Sequence, residues 1–282
     1  MAILIFDQIE VLDFTGPYEV FNVTAELNTT TTPGGPPPLF NVYTVAESNA
    51  PVRTRGQLSV NPNYNLYDMP PPSIVIVPGG AGCRPLLQKP HLLEWLQKQY
   101  CNPNVEYVLS VCTGSLVLAK AGIFDNLGGE FGNVRGGEAI EVTTHHDNLN
   151  DLQKLLDERK DSIEGNVQVN NTKRYIVIEP TTTATAAPAT TTTTTSSSGS
   201  SGSSNNNNNH GKNHQHQPIV VTSGGISAGI DMCLYIVHKL CGNDVLNKTL
   251  NEMEYPFQLN NLDLSWKQGI RNSSSSNNDD DS

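Results

Sequence analysis

The chain has 282 residues, 37% hydrophobic and 16% charged. That is enough apolar material for a substantial core, yet no apolar run approaches a bilayer span, so no membrane partner is expected. Seventeen Lys and Arg against 28 Asp and Glu give a formal net charge of −11, which disfavours a phosphate-binding surface and nucleic acid as a partner.

In chain order, Met1 to Asp7 has no basic region and reads as a first strand, Ile3 to Phe6, rather than as a signal peptide. Further short runs, Phe40 to Val45, Ile74 to Val77 and Val105 to Val111, have the continuous apolar character of parallel strands buried on both faces. Pro17 suits the first turn of a helix carrying Val20, Phe21, Thr24 and Ala25, with Thr15 or Gly16 as its cap. Leu92, Leu93, Leu96 and Tyr100 repeat that spacing after Pro90. The charged run Asp151 to Glu164 reads as a solvated helix face. Two late helices follow, one from Ile230, Cys233, Leu234, Val237 and Leu240, the other from Val245, Leu246, Thr249 and Met253, stopped by Pro256. Alternating strands and helices predict an α/β fold, a doubly wound, mostly parallel sheet with helices on both faces. Its ligands should bind beyond the carboxyl ends of the strands.

Residues 181–217 hold no Val, Ile, Leu, Met, Phe, Trp, Tyr or Cys, so they cannot offset their ordering entropy and are expected to be disordered. Their flanks, Arg174 to Ile178 and Ile219 to Thr222, read as two hairpin strands whose tip the tract replaces, an insertion whose closure entropy grows only logarithmically. His210, His214 and His216 within it are read as low complexity rather than as a metal site. Residues 29–38 form a smaller polar loop, and 272–282 a disordered tail. What remains is taken as one domain, 1–271. The five cysteines, Cys83, Cys101, Cys112, Cys233 and Cys241, are odd in number and lack a CxxC pair, which argues against a disulfide framework and a zinc cage. Free thiols in a reducing compartment fit, so a cytoplasmic location is expected.

The sharpest local feature runs from Val105 through Cys112-Thr113-Gly114 into Ser115 to Ala119: an apolar strand entering a helix on a tight turn. A nucleophile there projects from the carboxyl edge of the sheet, the small residue two places on admits close helix–strand approach, and the helix amides and dipole favour thiolate over thiol. A buried cysteine packed as a small hydrophobe is the alternative. A second feature, Val75 to Gly82, is a strand ending in Pro78-Gly79-Gly80; the Gly80 and Thr113 amides form a candidate oxyanion-type donor pair, although such a turn is also an ordinary loop. In a third, Val11 to Phe21, Asp13 follows strand one and Glu19 lies one turn into the next helix. Either acid could exchange protons with Cys112 or a substrate, and either could instead be a capping or helix-start charge.

Together with Thr222 to Asp231 (Thr-Ser-Gly-Gly-Ile-Ser-Ala-Gly-Ile-Asp), these segments resemble the ThiJ/PfpI superfamily, of glutamine amidotransferase-like, flavodoxin-like fold, and within it the isonitrile hydratases. The order persists from about residue 3 to Phe257, interrupted at 29–38, 128–137 and 181–217. The resemblance implies that Cys112 is the elbow cysteine, Thr113 the hydroxyl residue after it, and Asp13 the acid required after strand one. Relatives with peptidase or chaperone activity usually carry a histidine after the cysteine; Thr113 stands there instead. His145, in Val142 to His146, matches a Thr-Thr-His stretch and is read mainly as structural.

The implied activity is hydration of an isonitrile to an N-substituted formamide, a lyase reaction needing neither metal nor cofactor. Catalytic roles fall to Cys112, Asp13 and Thr113; Gly79, Gly80, Ile226 and Ser227, with Ala228, are expected to wall the substrate pocket. A homodimer is expected from the resemblance alone. Competing readings are a stress-response thiol enzyme or sensor of deglycase, chaperone or peptidase type, and a noncatalytic or regulatory domain. Only 27 residues follow Tyr255, too few for the DNA-binding helices of related activators.

Overall fold

A computed structural model describes residues 1–27, 37–125, 127, 139–163, 165–180, 217–257 and 259. Almost all of the 181–217 tract, the loop at 29–38 and the stretch at 128–137, and all of the tail, lie outside the described residues. The elements are β1 (Ala2–Leu4), α1 (Val11–Leu27), β2 (Tyr43–Ala46), β3 (Val52–Arg53), β4 (Ser59–Val60), β5 (Tyr64–Asn65), β6 (Ile74–Val77), α2 (Cys83–Leu86), α3 (Pro90–Tyr100), β7 (Tyr107–Val111), α4 (Gly114–Lys120), β8 (Ile140–Val142), α5 (Leu149–Glu158), β9 (Val167–Val169), β10 (Tyr175–Ile178), β11 (Ile219–Ser223) and α6 (Ser227–Met253).

Seven strands make the main sheet in the order β10-β11-β7-β6-β1-β2-β5. Every pairing is parallel except β10 with β11, which form the expected antiparallel pair with Ile178 opposite Val220. Every residue of β1, β2, β6 and β7 is buried, as their largely apolar sequences, broken only by Thr44 and Ser110, require when both sheet faces are covered. The helices form two groups: α1 packs on α6, and α4 packs on α2, α3 and α5. A hydroxyl pair, Thr24 Oγ1 to Thr249 Oγ1 at 3.0 Å, joins α1 to α6 inside the apolar contact. In α5, Leu152 and Leu156 turn inward one helical turn apart and leave the charged face to solvent. Among the described residues no helix is long and apolar enough to cross a membrane.

Several boundaries differ from the sequence expectation: β1 and β7 are shorter than Ile3 to Phe6 and Val105 to Val111, and β2 is shifted from Phe40 to Val45; the larger differences are in the helices. Helix α1 begins at Val11 rather than at Pro17, which lies inside it; the ring removes one ladder hydrogen bond, to the Asp13 carbonyl, and the surrounding turns carry the helix through. The two late helices are successive parts of α6, separated by non-helical backbone at Gly242 (φ 81°, ψ 178°).

The strand order locates the site. From β1 the chain goes outward to β2, then returns past β1 to β6 and onward to β7, so the order reverses between β1 and β6. In open α/β sheets the crevice for ligands opens at that reversal, beyond the carboxyl ends of the strands.

Candidate active site at the carboxyl edge of the sheet

Cys112 occupies the turn between β7 and α4 with φ of 57°, a left-handed conformation that costs a residue with a Cβ on the order of 1–3 kcal/mol. Several bonds hold it there. Its N–H is directed at the carbonyls of Ser223 (3.1 Å) and Gly224 (3.0 Å). Its carbonyl accepts from Thr144 Oγ1 at 2.9 Å and Ser115 Oγ at 3.2 Å. A Cβ on Gly114 would lie 2.0 Å from the Val77 carbonyl oxygen, so only glycine lets the start of α4 come this close to β6.

Asp13 is fully buried in the first turn of α1. Its Oδ2 accepts from the Gly79 amide at 3.1 Å, and the Cys112 thiol and the Ile226 amide approach the same carboxyl. Oδ1 has no close donor among the described residues, which leaves part of this buried carboxyl's hydrogen-bonding capacity unused. Gly79 is the meeting point of the three segments: a Cβ there would stand 2.7 Å from Thr113 N, 2.8 Å from Asp13 Oδ2 and 2.8 Å from Cys112 Cβ. The acid, the cysteine and the glycine turn are thus brought together at the sheet reversal.

Burial governs the electrostatics of the pair. Desolvation pushes the Asp13 carboxyl up to about 7, against the opposing hydrogen bonds from Cys112, Gly79 and Ile226. The Cys112 thiol is also pushed far up, first by burial and then by the Asp13 charge, with only the Thr113 amide pulling the other way. This corrects the expectation that the helix start would favour thiolate. A helix end is worth about 0.3–1 kcal/mol, α4 has seven residues, and removing a charge from water costs more than that. The thiol thus keeps its proton, with the Asp13 carboxyl beside it.

The expected Gly80–Thr113 donor pair is not formed. The Gly80 amide donates to Thr113 Oγ1 at 2.9 Å, and the same hydroxyl lies 3.3 Å from the Gly80 carbonyl; the Gly79 amide is taken by Asp13. Both glycines shape the site without offering a free donor, and the Thr113 amide faces the Cys112 sulfur instead. Glu19 is exposed on α1, away from the buried chemistry.

Beside the pair lies a cavity of about 250 Å³ whose walls include Thr144, His145, Arg174, Gly225, Ile226 and Ser227. It adjoins the elbow through Thr144 and the Gly224 carbonyl. His145, half-buried, uses Nδ1 to accept from the Asp147 amide at 3.3 Å and also lines this cavity. His145, His146 and Asp147 bring ligand-type atoms within 4.8 Å of one another, but the last two are exposed and His145 Nδ1 is already turned toward a backbone amide. Sequence reasoning missed Thr144 as a partner of the elbow and Arg174 altogether. The Thr-Thr-His stretch signalled the first; no local pattern marks the second.

Residues 1–128 match the DJ-1/PfpI family. An isonitrile hydratase of Pseudomonas putida is 36% identical over 123 residues, 44% of this chain and 47% of the relative, so the match spans about half the length of that protein. Three solved structures share the fold. A ThiJ/PfpI family protein from Pseudomonas syringae has a TM-score of 0.58 at 17% identity, over 98% of this chain and 85% of the other. DJ-1 of Schizosaccharomyces pombe gives 0.54 at 12% identity, over 90% and 98%. An AraC family transcriptional regulator from Pseudomonas putida gives 0.56 at 11% identity, over 89% and 97%. The matched residues include Asp13, Gly79 and Cys112.

Proposed function

We propose that the protein is a cysteine-dependent lyase that adds water to an isonitrile, R–N≡C, giving the formamide R–NH–CHO. The observation that carries this reading is the buried Asp13–Cys112 pair, which holds one transferable proton beside one soft nucleophile. The likeness of the amino-terminal segment to an isonitrile hydratase supports it.

The Cys112 proton passes to Asp13 as sulfur attacks the terminal isonitrile carbon. Asp13 then returns that proton to the same carbon, leaving a thioimidate, R–N=CH–S–Cys. Water then adds to this carbon, its proton passing by way of Asp13 to nitrogen to give R–NH–CH(OH)–S–Cys; collapse of this adduct forms the C=O bond and breaks the C–S bond, the hydroxyl proton passing through Asp13 to sulfur, so that R–NH–CHO leaves with the Cys112 thiol and the Asp13 carboxylate restored. Thr113 contributes through its amide, which stabilises negative charge on sulfur as it forms. Ile226 and Ser227 wall the space for R. The same reading takes residues 1–271 as one cytoplasmic domain acting as a homodimer. The peptidase-type alternative draws on an acid in the first helix at Glu19, which is exposed, whereas Asp13 is buried against the thiol.

The test is incubation of the purified protein with cyclohexyl isocyanide and detection of N-cyclohexylformamide. Product from the wild type and none from Cys112→Ala or Asp13→Ala is the expected outcome. No wild-type product, or equal product from all three, overturns it.

A further inference from the structure

The cavity beside the elbow has a one-sided chemistry. Groups able to donate hydrogen bonds wall it, among them Thr144, His145, Asn171, Lys173, Arg174 and Ser227, and among the described residues no Asp or Glu lines it. In a chain of net charge −11 such a wall is not an average piece of surface. Acids are nonetheless close, each set behind a donor. Glu141 pairs with the Lys173 ammonium, Asp231 with Arg174 Nε, and Asp147 lies 3.3 Å from His146 Nε2; none of the three acids is part of the wall.

Carboxylates outside a wall hold its cations in place while leaving the donors to the cavity, an arrangement suited to an anion. The Arg174 guanidinium uses Nε for Asp231 and one Nη for Ser227 Oγ at 3.3 Å, and a guanidinium carries five N–H donors. The Lys173 ammonium, with three, bonds Glu141. A wholly apolar tail would cover these donors without replacing the water bound to them, whereas a carboxylate accepts from several at once. The space is small: about 250 Å³, less than the roughly 300–1,000 Å³ that drug-sized ligands occupy. It also lies against the elbow backbone, because the Cys112 amide donates to the Gly224 carbonyl and Thr144 Oγ1 donates to the Cys112 carbonyl.

We propose that this cavity seats a carboxylate on the tail R, with Lys173 and Arg174 as its donors, so that the substrate class is a short isonitrile carrying an acid. Isocyanoacetate, ⁻OOC–CH2–N≡C, is a simple member; hydration adds one water and gives N-formylglycine, ⁻OOC–CH2–NH–CHO, with the tail charge unchanged. Neutral isonitriles react at the same sulfur without this contribution. The inference rests on the proposed hydration for the name of the substrate, but the charge preference of the cavity is a separate claim.

Two measurements on the full chain at neutral pH test it. In the first, kcat/KM for isocyanoacetate is compared with that for its methyl ester, which keeps the isonitrile and removes the charge. A hydrogen bond to a charged group corresponds to about 10-fold or more, so the acid should exceed the ester by that factor, and Lys173→Gln and Arg174→Gln should each shrink the ratio severalfold. Should Arg174→Gln fail to fold, Lys173→Gln, at a part-exposed side chain, still decides. In the second, isothermal titration with N-formylglycine and with N-formylglycinamide gives an answer whether or not isonitriles are turned over: the acid should bind more tightly by the same factor, and Lys173→Gln should remove most of that preference. If neither isonitrile is turned over while N-formylglycine binds with this preference, the hydratase reading falls and the anion seat stands. Where isonitriles are turned over, an acid-to-ester ratio near one, or a ratio that Lys173→Gln leaves unchanged, overturns the assignment; where they are not, equal or absent binding of the two formamides does.

Discussion

Two carboxylates are buried at the carboxyl edge of the sheet, and their surroundings assign them opposite work. Asp231, in the second turn of α6, has both oxygens satisfied, one by the Arg174 guanidinium and one by the Tyr255 hydroxyl. Asp13, in the first turn of α1, is matched with an amide and a neutral thiol, and one of its oxygens has no close donor. A buried acid hydrogen-bonded on both oxygens, one of them to a cation, serves as a strut. A buried acid facing a thiol lies near its own titration point and can give and take a proton. The contrast predicts that the same substitution will hurt function at one position and stability at the other.

The largest expected effect is on turnover. General acid–base groups contribute about 10²–10⁴-fold, so Asp13→Asn should lower kcat/KM for isonitrile hydration by at least about 100-fold while the protein stays folded; steady-state kinetics beside a melting curve will show it. Cys112→Ala should remove the activity. Retention of wild-type kcat/KM by Asp13→Asn would erase the contrast between the two acids.

Next comes the strut. Asp231→Ala leaves Arg174 without its counter-ion, and breaking a largely buried pair by removing one partner costs about 3 kcal/mol or more. Chemical denaturation near neutral pH should report a loss of that order. Replacing both members with apolar residues, Arg174→Met with Asp231→Leu, should destabilise less than Asp231→Ala alone.

Smaller, and opposite in sign, is the stability effect at Asp13. Its folded-state carboxyl is raised from 3.8 to about 7 by burial, so the native protein favours the protonated form. The stabilisation that this form provides is complete below about pH 4 and is lost as pH rises toward 7. Asp13→Asn, which keeps an oxygen for the Gly79 amide and never ionises, should therefore match the wild type near pH 4. It should exceed it by a growing margin up to pH 7, by on the order of 1–3 kcal/mol, and hold that margin above. A margin that shrinks with rising pH would mean that Asp13 is stabilised as the anion.

Most of the sheet is legible because its central strands are short, mostly apolar runs rather than alternating ones; β6, all Ile and Val, matches its expected bounds to the residue. The meeting of Asp13 with Cys112 was legible too, since a strand-to-helix turn fixes where a side chain emerges and the strand order fixes which turns are neighbours. What spacing does not reveal is competition for a single hydrogen bond. The Gly80 amide looked free until Thr113 Oγ1 was found on it, and the dipole at Cys112 looked decisive until set against burial. The start of α1 was misplaced because Pro17 is a strong local signal, outweighed by the packing of Phe14, Val20 and Phe21 into the core. Arg174 had no local signature, its partners being set by the return of the chain after the 181–217 tract.

The mildest prediction concerns how the elbow is held. Thr144 Oγ1 donates to the Cys112 carbonyl at 2.9 Å, and both residues are buried. Thr144→Val keeps the shape and deletes the donor, at a cost of about 1 kcal/mol. Because Ser115 Oγ also bonds that carbonyl at 3.2 Å, the oxygen is not orphaned, and the loss should stay at this level rather than reach that of a stranded buried group. The Asp13 carboxyl contacts neither hydroxyl, so the pH at which Cys112 alkylation rises should be unchanged even as the melting temperature drops. A shift in that midpoint would mean that the strained turn at Cys112 and the proton affinity of the pair are coupled, placing the elbow itself among the determinants of reactivity.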